Sequence, residues 1–107
     1  MSFENWLPIN KNYEVSCLGR VRNSKNYKVL KDWTTGIGYR KIQVGGREDR
    51  YRVQRLVCEA FCLKPNDDYL IVHHINGIRH DNRAINLKWM SQKENMRLAH
   101  LGNPPIF

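Results

Sequence analysis

No apolar run in this sequence approaches the roughly 20 residues a membrane-spanning helix needs, so no membrane partner is expected. Its first residues, MSFENWLPINK, lack the basic-then-apolar pattern of a secretory signal, and a cytoplasmic protein is expected. Cysteine is scarce: Cys17, Cys58 and Cys62 form an odd count with no C-x-x-C pair. Neither a disulfide framework nor a zinc ribbon follows from that spacing, and all three read as reduced and structural. Nothing repeats, and no stretch is low in complexity. Acidic residues are few, 10 Asp and Glu against 18 Lys and Arg.

What remains is a short, basic, globular sequence. Its 107 residues suit one compact unit, and 41% apolar with 10% aromatic residues is too much for disorder. A chain of this size buries roughly two-thirds of its unfolded surface, enough for one modest core. The cations are unevenly spread: residues 1–55 carry twelve basic and five acidic side chains, residues 56–107 six and five. A basic half favours a polyanion, because each Lys or Arg on a phosphate releases condensed counterions. A solvated, colloidally stable surface is the alternative.

The first half reads as a small antiparallel sheet. Tyr13–Ser16 alternates, Leu18-Gly19-Arg20 turns into Val21-Arg22, and Lys28–Trp33 reads as a further strand. Tyr39–Val44 and Arg50–Val53 form a hairpin about Gly45-Gly46, with a basic and an apolar face. Val53, Leu56, Val57, Ala60 and Phe61 then fall at helical spacing up to about Cys62, and a loop follows at Pro65. Leu70–Val72 is a brief buried strand entering His73-His74, and Asn86–Met90 is another. Ser91 and Glu94 form a capping box for a last helix, with Glu94 reaching back to its start. Trp6, Trp33 and Trp89 read as core anchors, joined by Tyr13, Tyr39, Phe61 and Leu87.

The chemistry concentrates between His73 and Asn95. Side chains alternate along a strand, so His73 and His74 point to opposite sides, and one can hold a metal while the other faces a substrate. Asn95 lies near the start of the last helix, where an amide oxygen can meet a cation and the helix terminus favours phosphate. Imidazole and amide suit a hydrated divalent ion with open positions better than a closed zinc site. His80 and His100 read as ordinary surface residues.

The pattern V-H-H-I-N-G…N-x-x-x-N-L-x-W…S-x-x-E-N, from Val72 to Asn95, resembles the ββα-metal core of HNH endonucleases, most closely the phage and intron homing type. R-V-Q-R-L-V-C-E-A-F (Arg52 to Phe61) resembles the helix before that core. W-L-P-I, Y-E-V-S-C-L-G-R-V-R-N and G-Y-R-K-I-Q-V resemble the DNA-binding module that precedes it. The implied fold is α+β, a small antiparallel sheet module followed by a ββα-metal (His-Me finger) core, with residues 1–52 and 53–107 as the two parts. The implied activity is metal-dependent hydrolysis of DNA phosphodiester bonds in a phage or mobile-element setting, leaving 5′-phosphate and 3′-hydroxyl ends.

The resemblance implies a role for each matching residue. His74 matches the general base and His73 the metal-binding position beside it. Asn86 matches the middle Asn, which ties the loop and helps hold the base, and Asn95 matches a second metal ligand. The implied cofactor is Mg²⁺ or another divalent cation such as Mn²⁺, and the partner double-stranded DNA, cut by a monomer or homodimer. Arg20, Arg22, Lys25, Arg40 and Lys41 of the sheet, with Arg79 and Arg83 of the loop, are candidate DNA contacts. Gln54 stands where relatives often carry His, and Ala99 where some nucleases carry a third ligand. Few residues follow the core, so high sequence specificity is not expected. A catalytically inactive DNA-binding module is the alternative, and an RNA-directed protein a further one.

Overall fold

The computed structural model describes residues 3–45, 50–65 and 70–100, with side chains to residue 97. It is a small α+β fold of antiparallel sheets and few helices. Two three-stranded sheets come first. In one, β1 (Trp6–Pro8), β2 (Tyr13–Ser16) and β3 (Val21–Asn23) pair in sequence order. In the other, β4 (Trp33–Thr34), β5 (Arg40–Gln43) and β6 (Arg50–Arg52) do the same. The expected single sheet is therefore two. The expected strand over Lys28–Trp33 shrinks to a lone Arg22–Val29 bridge and the two residues of β4. The turn expected at Gly45-Gly46 falls partly outside the described residues.

Helix α1 (Val53–Phe61) follows β6 without a linker. Its apolar face, Val53, Leu56, Val57 and Cys58, is buried where helical periodicity puts it. Cys62 then turns to extended backbone, and Pro65 cannot resume the helix. The helix packs between β2, β5 and β6 on one side and a second element pair on the other. That pair is a hairpin of β7 (Leu70–His74) and β8 (Leu87–Ser91), in register Val72↔Trp89, His73↔Lys88 and His74↔Leu87. A single 3₁₀ turn, Ala84–Asn86, precedes β8, so the expected strand starts one residue later than Asn86.

One core cluster runs through all of this. Val15 and Val21 of the first sheet, Ile42 and Val44 near β5, the α1 face, and Val72, Leu87 and Trp89 of the hairpin are buried together. Each fully buried aliphatic side chain contributes about 1.5–3 kcal/mol. Trp89 is the core anchor expected, but Trp33 is 40% exposed and Trp6 only half-buried. Helix α2 (Gln92–His100) packs on β8. Ser91 Oγ accepts the Glu94 N–H at 3.1 Å, as a cap should. The Glu94 carboxylate accepts from the Ser91 hydroxyl at 3.3 Å; the expected return bond to the Ser91 backbone is replaced by this one.

Candidate active site

Strand alternation separates the two adjacent histidines. His74 pairs across the hairpin with core residue Leu87 and is 4% exposed; His73 pairs with Lys88 on the other face. His74 Nε2 lies 2.8 Å from Asn82 Oδ1. An amide oxygen only accepts, so Nε2 carries the proton and Nδ1 keeps its lone pair. Burial pulls the His74 imidazole below its usual range by disfavouring the charged form, and the Asn82 bond opposes that. The ring is therefore neutral near pH 7, with Nδ1 able to accept a proton.

Residues beside β5 and β6 border this ring. Tyr39, just ahead of β5, is buried with its ring 6.0 Å from that of His74. The Arg52 and Arg79 guanidiniums sit 4.5 Å and 5.2 Å from the Tyr39 centroid. Arg79 Nη1 also donates to the Ile37 carbonyl at 2.5 Å, joining the loop after β7 to the β4–β5 turn.

Asn86 organises the loop between β7 and β8. Its Oδ1 accepts the Asn76 N–H at 3.0 Å, and its Nδ2 donates to Asn76 Oδ1 and the Asp81 carbonyl, each at 2.9 Å. The Ile75 N–H donates to its carbonyl at 2.8 Å. Arg83 grips Asp81 through two contacts of 2.8 Å, which hold that carboxyl far below the usual range. From the other side, Cys62 Sγ lies 3.5 Å from the Leu87 carbonyl. The loop is thus braced at both ends, and the side chain touching His74 is that of Asn82. Sequence reasoning passed over Asn82, although it heads the N-x-x-x-N stretch that ends at Asn86.

His73 Nδ1 is buried with no hydrogen-bond partner among the described residues. An orphaned imidazole nitrogen is costly unless a proton or cation reaches it. Burial, then Lys88, pull this ring below its usual range, so the lone pair is free for a cation near neutral pH. Asn95, in the first turns of α2, is 1% exposed. Among the described residues no cluster of three His, Cys, Asp or Glu could hold a metal. One imidazole and one amide suit a hard, largely hydrated divalent ion that takes its remaining ligands from water and phosphate.

The expected DNA contacts divide into paired and free cations. Arg20 is ion-paired with Glu4, Arg22 with Glu14 at 2.5 Å, and Arg40 with Asp32 at 2.6 Å. Arg22 also stacks 3.9 Å over Trp6. Arg40 shares the strand parity of buried Ile42 and Val44, so β5 has no clean basic face. Lys25 is exposed and Lys41 half-buried. Gln54 is 4% exposed, its Oε1 has no hydrogen-bond partner among the described residues, and it lines a cleft of about 110 Å³ with Tyr39, Arg52 and Arg55. His80 is exposed, and the side chains of Ala99 and His100 lie outside the described residues.

The chain is similar to known proteins by family model, by sequence and by structure. Residues 51–97 match the family model described as HNH endonuclease. The chain is 36% identical over 86 residues to the DNA endonuclease I-HmuI of Bacillus phage SP01, covering 78% of this chain and 49% of that one. An uncharacterized HNH endonuclease of Acanthamoeba polyphaga mimivirus is 34% identical over 90 residues, covering 82% of this chain and 27% of its own. The chain thus spans about half or less of the curated relatives it matches. The solved structure of DNA binding and cleavage by the HNH homing endonuclease I-HmuI superposes with a TM-score of 0.80 at 30% identity, covering 95% of this chain and 62% of that one.

Proposed function

Because this chain carries a domain of the HNH endonuclease family and is homologous to the phage homing endonuclease I-HmuI, we propose that it hydrolyses DNA phosphodiester bonds with the help of a divalent metal ion. The observation that carries the reading is the 2.8 Å approach of His74 Nε2 to Asn82 Oδ1. With Nε2–H given to Asn82 Oδ1, Nδ1 is the atom that takes a proton from water as its oxygen attacks phosphorus. The P–O3′ bond breaks on the far side, and solvent supplies the proton to the leaving 3′ oxygen. A 5′-phosphate and a 3′-hydroxyl result.

His73, through its buried Nδ1, and Asn95 would hold the ion, Mg²⁺ or Mn²⁺. When bound it supplies charge stabilisation at the scissile phosphate. Asn82 orients the base, and Asn86 holds the loop that carries Asn82. Exposed Lys25 and Arg79 are the cations best placed to meet phosphates, since Arg20, Arg22, Arg40 and Arg83 are engaged by carboxylates. One such site cuts one strand per binding event, so a double-strand break needs two chains or two successive nicks.

The test is cleavage of supercoiled plasmid by the purified chain with Mg²⁺, with EDTA, and with His74→Ala. Open-circular or linear product that requires the metal and is lost in the variant supports the reading. Absence of cleavage, with wild type and variant binding duplex equally, replaces it with a DNA-binding module that does no chemistry.

A further inference from the structure

The turn joining β2 to β3 lies beside the residue that holds His74. Gly19 has φ +89°, and a Cβ placed there would lie 3.1 Å from both the Cβ and the carbonyl oxygen of Asn82. That is tighter than ordinary van der Waals contact, so any side chain at position 19 would have to displace Asn82. Asn82 is itself buried, with the turn on one side and His74 on another.

The turn cannot easily yield. Ser16 is fully buried, and its Oγ accepts the N–H of Leu18 at 3.2 Å and of Arg20 at 3.1 Å. The Gly19 N–H donates to the Ser16 carbonyl at 3.1 Å, and the Ser16 N–H to the Arg20 carbonyl at 2.8 Å. The turn is also tied to the loop it faces: the Ala84 N–H donates to the Cys17 carbonyl at 2.7 Å.

We propose that Gly19 is a positioning residue for the catalytic base, contributed by the amino-terminal sheet and acting through Asn82. The proposal rests on the assignment of His74 as base. Gly19 meets two demands at once: it adopts a left-handed backbone, and it leaves the space in which Asn82 stands. Filling that space moves the Asn82 amide by a few tenths of an ångström and turns the His74 ring with it. Displacements remote from the chemistry are expensive, with up to about a hundredfold in rate lost per ångström, so a loss of about fivefold is expected here.

The test uses Gly19→Asn, because Asn tolerates a left-handed backbone yet carries a Cβ, with Gly19→Ala beside it. Gly36→Ala is the control, since a Cβ at Gly36 meets nothing within 4 Å. Single-turnover cleavage of a labelled duplex should slow about fivefold in Gly19→Asn, with half-saturation unchanged. In an Asn82→Ala background the same change should cost little, because the bond it disturbs is already gone.

A second readout needs no activity. Nitrogen–proton correlation spectra of the histidine rings should show His74 protonated on Nε2, a signal that shifts in Gly19→Asn and stays put in Gly36→Ala. If the wild type cleaves nothing, the nuclease reading fails while the ring signal still tests the contact. An unmoved His74 signal, or an equal rate loss with and without Asn82, overturns the proposal.

Discussion

His74 and Asn82 share a hydrogen bond of 2.8 Å that sets which imidazole nitrogen carries the proton. Losing a bond of this kind costs about 1 to 1.5 kcal/mol, so Asn82→Ala should slow single-turnover cleavage by about tenfold. Asn82→Asp should behave differently. A carboxylate beside Nε2–H favours the imidazolium, so the acid limb of the pH–rate profile should move to higher pH. Equal profiles for the two variants would count against Asn82 as the partner of the base.

Asn86 should matter first for stability. Its side chain makes three hydrogen bonds within the loop, to Asn76 twice and to the Asp81 carbonyl. At about 1 kcal/mol each, Asn86→Ala should lower unfolding free energy by about 2–4 kcal/mol. Urea denaturation measures this, and a change below about 0.5 kcal/mol would contradict the bracing role.

Metal-free protein should lose stability below about pH 6.5. Burial holds both His73 and His74 below the ordinary imidazole range in the folded chain. The unfolded chain, titrating near 6.5, therefore binds protons more readily, and acid favours unfolding. The histidines impose no penalty above about pH 6.5, and their penalty grows as pH falls through that value toward the folded pKa. In EDTA the urea midpoint should be lower at about pH 5.5 than at about pH 7.5, and His73→Gln should narrow the gap. A gap that His73→Gln leaves intact would assign the loss to other groups.

Salt titration of duplex binding should separate free from engaged cations. Each phosphate contact contributes about 0.9 to the logarithmic salt slope, so Lys25→Ala should reduce it by about one. Arg22, held by Glu14 and stacked on Trp6, should give a smaller slope change and a loss of thermal stability when replaced by Ala. The reverse pattern would mean that Arg22 leaves Glu14 when DNA arrives.

The parts of this fold legible in the sequence are those governed by local periodicity. Helix α1 follows from Val53, Leu56, Val57, Ala60 and Phe61, and β7 from the apolar run into the histidines. Strand β1 escaped notice because three residues including Pro8 show no alternation. The split into two sheets depends on residues 24–32, where turn-forming and strand-forming types are mixed. The arginine pairings were illegible for a different reason: Arg20 meets a carboxylate 16 residues away, and Arg22 and Arg40 each meet one 8 away. At the site, residue types and order could be read, but the contact of Asn82 with His74 crosses a loop whose path no spacing predicts.

The shared core also bears on how such a protein can be rearranged by recombination. The family match covers residues 51–97, yet Val15, Val21 and Ile42 bury the same cluster as Val53, Val57 and Leu87. A crossover at the start of α1 would strip that helix of the apolar cover supplied by Val15, Val21 and Ile42. Grafts that carry the stretch from β2 onward keep the cluster whole. The heritable unit of this architecture is therefore wider than its signature motif, and shuffled genes that respect the motif alone should give insoluble products.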